Sequence, residues 1–537
     1  MKKISVFIFL LMNFLAFSQE DAWVYFNAKP NAQAYYDAPL TMLTQRSLDR
    51  RTLQNIPLDF KDIPISQLYI DQIEAAAGIT VKSKSKWFNA VHVRGTQADI
   101  QALTLLSFVD HVDFADTGLN TGGKIALSKK NSKVNKTYDS EILFNYGNSA
   151  NQIEMLNGHL LHQQNYTGSG KIIAVMDGGF PGVNTIAPFS RLRDNNLILG
   201  GYDFVNRDAN FYTGITHGTL VLSTMGGYVE NQLVGTAPDA GYYLFITEDG
   251  ANESPLELSL WVEAAEEADR LGVDVINTSL GYTVFDNPDY NFTYSDMDGA
   301  TAFISKGVDI AFSRGMICVV SAGNSGSSTW QYISAPADAV HALTVGAVTA
   351  AGSYATFSSQ GPSFDLRVKP DVAAQGQLSV VSNALGSVTT ASGTSFSGPI
   401  IAGMVASFWQ ALPNKTNAQI VQLIKQSASI YSTPNSFLGY GIPNFSAALT
   451  TGLGIEENSN SAFVLYPNPV QNTLTIELPL NFKNADVVFY NTLGQKVFEK
   501  KDLNNSTELS LNVLKPGIYL YRIESNNYTQ TGKILKQ

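Results

Sequence analysis

The 537-residue chain holds one cysteine, Cys318. A lone thiol forms no internal disulfide, no CxxC redox pair and no thiolate zinc site. Charge is also sparse, at 15% of residues, and it leans negative: 35 Lys and Arg against 46 Asp and Glu give −11. Such a surface repels a phosphate backbone, so nucleic acid drops out of the expected partners. After the N-terminus no apolar run is long enough to cross a bilayer as a helix. Gly 43 and Pro 20 are ordinary for the length and exclude a collagen-like or Pro-rich rod. At 44% hydrophobic residues, wholesale disorder is excluded as well. A globular chain of about three or four domains remains.

The N-terminus reads Met1-Lys2-Lys3, an apolar run from Ile4 to Leu15, then Ala16-Phe17-Ser18. A charged start, a short apolar stretch and a small-x-small site predict a secretory signal over 1–18. Residues 19–120 read as a small α+β unit. Trp87 to Val93 and Val109 to Phe114 read as strands, and Ala98 to Leu106 as a helix. Residues 121–145 lose all apolar period. Gly122, Gly123, Lys124, Lys129, Lys130, Lys133 and Lys136 make a basic connector, the kind of exposed segment where proteolysis falls.

Residues 146–450 alternate helices with buried strands. Ile172 to Met176, Val273 to Asn277, Met316 to Val320 and Ala342 to Val348 are short and apolar throughout, as strands covered on both faces are. Ser254-Pro255-Leu256-Glu257 predicts a helix start, with the end at Gly272. Thr416 and Gln419 predict a capping box. This alternation argues for a parallel sheet with helices on both sides. A polar linker, 451–461, follows. In 462–537, Leu474, Ile476 and Leu478, and again Leu509, Leu511 and Val513, alternate with polar residues. That pattern predicts half-buried strands and an all-β module.

A catalytic base in so cysteine-poor a chain is sought among six histidines. His92, His111 and His341 adjoin strands and read as structural or solvated. His159 and His162 are three apart on a predicted helix, a spacing that can hold a metal, but no carboxylate stands near them in sequence. His217 differs. It precedes Gly218, which admits a close backbone, and an apolar helical run starts just after it. Asp177 ends the strand from Lys171 and is followed by Gly178-Gly179. A carboxylate at the carboxyl end of a parallel strand can orient an imidazole. Ser395, in Ser392-Gly393-Thr394-Ser395-Phe396-Ser397-Gly398-Pro399, opens another helix, where its N–H faces outward at the positive end of the dipole. Read singly, Asp177 is also a turn residue and Ser395 also a helix cap. The order Asp, His, Ser decides: it is one of the known triad orders, and the pattern lacks the G-x-S-x-G of α/β-hydrolases.

Three segments together resemble the subtilisin-like serine proteases, or subtilases: Ile173-Ala174-Val175-Met176-Asp177-Gly178-Gly179, His217-Gly218-Thr219-Leu220-Val221, and Gly393-Thr394-Ser395-Phe396-Ser397-Gly398-Pro399. Ser321-Ala322-Gly323-Asn324-Ser325-Gly326, Val275 to Gly281 and Gly235-Thr236-Ala237-Pro238 extend the match over roughly 150–450. The chain departs from the family pattern at Gly178, where Thr or Ser is common, and at Phe396-Ser397, where Met-Ala is common. The resemblance implies an α/β fold with a subtilisin-like parallel sheet. It implies a secreted endopeptidase in which Asp177, His217 and Ser395 form a triad, Asn324 donates to the oxyanion, and Ser279, Leu280 and Gly281 pair with a substrate strand. It implies that 19–120 is a prodomain, removed by the enzyme itself within 121–145. The tail segments Leu465-Tyr466-Pro467-Asn468-Pro469-Val470, Leu493-Gly494-Gln495 and Pro516-Gly517-Ile518-Tyr519 resemble a type IX secretion sorting domain. They imply secretion machinery as a partner.

Catalysis then needs no cofactor and no metal. The acidic loop Asp286, Asp289, Asp296 and Asp298 has carboxylates enough for structural calcium, which subtilases often carry, but no EF-hand spacing, and reads first as a solvated loop. Cys318, inside an apolar strand, reads as a core residue. The expected partners are protein or peptide substrates, with no integral membrane segment after signal removal, and the expected place is outside the cell or at its surface. The competing reading is an exported binding or adhesion protein on an inactive subtilase scaffold.

Overall fold

The computed structural model describes residues 19–120, 144–454, 463–478, 484–491, 494–504, 506–525 and 528–537. The expected signal 1–18, the connector lysines, most of the 451–461 linker and Leu493 of the tail motif lie outside the described residues. The chain divides into two units, Met1–Leu453 and Gly454–Gln537.

The first unit opens with strand β1 (Gln19–Phe26). A helical stretch follows, holding α1 (Ala32–Asp37) and α2 (Gln45–Leu53). Then come α3 (Gln67–Glu74), β2 (Thr80–Ser85), β3 (Ala90–Thr96), α4 (Gln97–Ala102) and β4 (Val109–Phe114). The four strands form an antiparallel sheet in the order β2-β3-β1-β4. Strand alternation gives this sheet two buried faces. Ala22, Val24 and Phe26 pack with Ile70, Ile73 and Ile100 beneath the sheet. Trp23, on the opposite face, joins the core of the following α/β part. The expected strand from Trp87 is corrected: Lys86–Asn89 form a turn, and the strand starts at Ala90. The reason is partly local and partly tertiary. Asn89 takes the left-handed conformation (φ 52°), and the amides of Lys86 and Trp87 point away from the sheet, onto the carboxylate of Glu266.

The α/β part is built on seven strands: β5 (Ile172–Asp177), β6 (Ile198–Asp203), β7 (Gly241–Ile246), β8 (Val275–Thr278), β9 (Ile317–Ser321), β10 (Leu343–Val348) and β11 (Val372–Gln375). All pair in parallel, in the order β11-β10-β9-β8-β5-β7-β6. Their limits fall within a residue or two of those expected. One face packs against α5 (His217–Gly226) and α8 (Thr394–Ala411), the other against α6 (Leu256–Leu271) and α7 (Phe303–Ser313). Successive residues serve opposite sides: Ile173 and Val175 face α5 and α8, while Ala174 and Met176 face α6 and α7. Cys318 lies on the α7 side, fully buried, and desolvation holds its thiol protonated. Helix α9 (Asn417–Gln426) carries the expected capping box: Thr416 Oγ1 accepts from Gln419 N and Gln419 Oε1 from Thr416 N. At α6 only half of such a box forms. Glu257 accepts from Ser254 N at 3.1 Å, and Ser254 makes no side-chain cap.

The second unit is all-β. Strands β12 (Val464–Tyr466), β13 (Thr473–Glu477) and β16 (Ser506–Ser510) make one antiparallel sheet in the order β12-β13-β16. Strands β14 (Ala485–Tyr490), β15 (Lys496–Leu503), β17 (Gly517–Ser525) and β18 (Tyr528–Lys536) make another, in the order β15-β14-β17-β18. Leu474, Ile476, Leu509 and Leu511 are buried as the alternation predicts. Val513 is not, at 74% exposed. The strand ends at Ser510, the chain turns, and Leu514 enters the core in its place.

Candidate active site

Asp177 ends β5, His217 opens α5 and Ser395 is the second residue of α8, so three elements converge at the carboxyl edge of the sheet. Asp177 is fully buried and accepts from the N–H of Gly178 at 2.8 Å. Its two carboxylate oxygens lie 2.9 and 3.0 Å from His217 Nδ1. This contact fixes the ring and turns Nε2 outward, toward the half-exposed side. Gly218 makes the approach feasible: a Cβ there would stand 2.4 Å from the Gly179 carbonyl and 3.0 Å from Asp177 Cβ. The Asp177 charge raises the imidazole pKa above its ordinary value; burial opposes it, and Glu248 adds a further upward push.

Ser395 is almost fully buried. Its hydroxyl donates to the Ser279 carbonyl at 3.4 Å, and no hydrogen bond joins it to His217. Pro399, one turn on in α8, has no N–H, so the Ser395 carbonyl loses its helical partner. The Ser279 hydroxyl donates to that carbonyl instead, at 3.1 Å. The pair ties the segment after β8 to the first turn of α8. Asn324 follows β9. Its Oδ1 accepts from Thr394 N at 2.8 Å and Thr394 Oγ1 at 3.0 Å, which turns its Nδ2 the other way. A Cβ at Gly393 would begin 3.6 Å from that nitrogen, so the glycine leaves the space before it open.

Ser279, Leu280 and Gly281 run on past β8 outside the sheet. Among the described residues no backbone hydrogen bond engages Leu280 or Gly281, whereas Tyr282 pairs with Ala335. The contacts fall in two sets: Asp177 with His217, and Ser395 with Ser279, beside the Asn324–Thr394 bond.

The remaining histidines are placed elsewhere. His162 is buried, bonded to Tyr146 Oη and to the Thr236 carbonyl, and desolvation lowers it to about 4. His92 bonds Asp21 and Ser259, and His341 bonds Asp309. The acidic loop holds itself together: Asp296 accepts from Thr293, Asp298 from Ala300 and Thr301, and Asp286 from Glu253 N. Among the described residues, one group of three acidic side chains gathers its ligand atoms within 4.8 Å, namely Glu248, Glu253 and Glu257. Oxygen donors of this kind suit a hard cation such as calcium. Burial, then mutual repulsion, raises Glu248 to about 8 and Glu257 to about 9, so at neutral pH these two are largely protonated. The sequence reading did not single out Glu248. Its signal was its place just beyond the carboxyl end of β7.

Comparison with known proteins agrees with this architecture. Residues 21–136 match the Peptidase S8 propeptide domain of Bacteroidota, 168–441 the Subtilase family, and 464–537 a secretion system C-terminal sorting domain. Subtilisin E of Bacillus subtilis (strain 168) is 30% identical over 325 residues, covering 60% of this chain and 76% of its own. Subtilisin of Bacillus pumilus is 31% identical over 300 residues, covering 55% and 97%. The chain belongs to the subtilase family. It is a serine-type endopeptidase with a propeptide, secreted or held at the cell surface by way of a type IX sorting domain. No described helix is long and apolar enough to cross a membrane.

Proposed function

We propose that the endopeptidase works through the triad Asp177, His217 and Ser395, and that it matures by cutting its own connector. The observation that carries this reading is the paired contact of His217 Nδ1 with both oxygens of buried Asp177. It leaves Nε2 as the free base, at the edge where α8 presents Ser395. The Ser395 hydroxyl leaves the Ser279 carbonyl to reach His217 when substrate binds; such catalytic bonds are often loose before then. Ser395 Oγ then attacks the peptide carbonyl as His217 accepts its proton. His217 returns that proton to the leaving amine, and water resolves the acyl-enzyme by the reverse relay. Asp177 holds the tautomer and stabilises the imidazolium. The oxyanion meets Asn324 Nδ2 and the N–H of Ser395, unpaired at a helix start. Leu280 and Gly281, free of sheet bonds, add the substrate as a strand beside Ser279.

The proposed organisation is signal 1–18, prodomain 19–120, processed connector 121–145, peptidase 146–450, linker 451–461 and sorting domain 462–537. The substrates are proteins or peptides, and the tail engages the secretion machinery. Intact mass of wild type and Ser395→Ala, both lacking residues 1–18, tests the assignment. The wild type is expected to lose its prodomain within 121–145 while the variant stays whole. Labelling by a fluorophosphonate that persists in Ser395→Ala would overturn the nucleophile.

A further inference from the structure

The helical stretch between β1 and α3 is a lobe of its own. Met42, Leu43 and Ile63 form a small core there with Tyr35, Tyr36 and Leu48, separate from the core under the prodomain sheet. Its helix α2 and the C-cap residue Gln54 place Arg46, Arg50 and Gln54 four apart, hence on one face. That face sits on the far ends of α6 and α7. Arg46 donates to the carbonyls of Gly272 and Gly170, both at 2.9 Å, and meets Asp274 at 2.6 Å. Arg50 meets Asp269 at 2.5 Å and donates to the Val273 carbonyl. Arg51 bridges Asp269, at 2.7 Å, and Asp62 of the lobe, at 2.6 Å. Gln54 donates to the Gly315 carbonyl and accepts from Asn417 N, both at 2.9 Å.

The lobe therefore closes the C-terminal ends of two peptidase helices with cations and donors, the groups those ends favour. The fit is close. Gly272 and Gly315 stop the helices with positive φ, and a Cβ on them would stand 2.7 Å from Arg46 Cγ and 2.8 Å from Gln54 Nε2. Asp269 is fully buried, and every side chain that hydrogen-bonds its carboxylate comes from the lobe. Helix α6 spans 16 residues, so this seat lies roughly 24 Å from the end of α6 that faces the cleft.

We propose that the lobe is a latch: a second anchor, remote from the cleft, whose contacts with the ends of α6 and α7 set how slowly the cut prodomain leaves. This rests on the reading that 121–145 is processed. Cutting the connector removes one covalent link and touches none of these contacts. Dissociation instead has to break the Arg50 and Arg51 contacts to Asp269 together with the caps on Gly272 and Gly315.

The test uses the full Ser395→Ala chain with a site for an added sequence-specific protease placed within 121–143. The cut then comes from outside, and failure of self-maturation shows separately as an uncut wild type. After cutting, the prodomain should co-elute with the peptidase on size exclusion. Arg50→Met with Arg51→Met should speed its dissociation by about 10²-fold or more. Arg46→Ala, at a part-exposed position that a folded chain tolerates, should speed it several-fold. A parent that sheds its prodomain at once on cutting overturns the latch. So does an Arg46→Ala rate equal to the parent's, or a folded double variant that dissociates no faster.

Discussion

Helix α6 has carboxylates at both ends, and they behave oppositely. At the cleft end Glu257, with Glu248 and Glu253 close by, is raised to about 9 because burial and like charge act together with no cation at hand. At the far end Asp269, just as buried, is lowered: the Arg51 and Arg50 charges outweigh desolvation. Burial alone therefore does not decide whether an acid is ionised; the neighbouring charge does. The far-end cations belong to the prodomain. Release of that domain removes both cations from Asp269, whereas Glu257 loses no ion-pair partner.

Substitutions should separate the two ends. The largest effect belongs to the cleft. Ser395→Ala should lower kcat by about 10⁶, the size of the loss in subtilisin itself, while the prodomain stays bound. Asn324→Ala should cost about 10²–10³ in kcat with little change in KM, again as for a lost subtilisin oxyanion donor. Asp269→Asn should do the reverse: faster release of the cut prodomain, with kcat of the released enzyme unchanged. A fall in kcat as large as for Asn324→Ala would break the comparison.

The pH dependences follow in sign. Asp269 has a lowered pKa, so its contribution is present above the ordinary carboxylate range and lost as pH falls through its lowered value; acid should loosen the latch. Glu248 and Glu257 have raised pKa values, so their contribution is present below the ordinary range and lost as pH rises through about 8 to 9. Melting temperature against pH should drop on the alkaline side, and Glu257→Gln should flatten that drop. The smallest effect concerns His217. Its raised pKa, set first by the Asp177 charge, places the acid limb of kcat/KM above the ordinary imidazole value, which a pH profile of the released enzyme checks.

Much of this was legible in the sequence. Strands such as Ile172–Asp177 and Ile317–Ser321 are apolar on both faces, so their place in a covered parallel sheet follows from composition alone. Asp177, His217 and Ser395 announced themselves through the glycines and helix starts beside them. The alternation of Leu474 and Ile476 marked the tail. Trp87 and Val513 misled, because strand-like residues sit there in turns: an amide aimed at Glu266 and a strand end at Ser510 outweigh local pattern.

The sequence by itself determined the order of the proposed reacting groups along the chain and the kind of sheet that carries them, since these depend on residue type and short-range period. Only the tertiary structure decided that Ser279 replaces the helical partner Pro399 removes, that Glu257 is protonated where Asp269 is ionised, and that Arg46, Arg50 and Gln54 close helices more than two hundred residues away. Those outcomes depend on burial and on charges brought together across the chain, which no local pattern encodes.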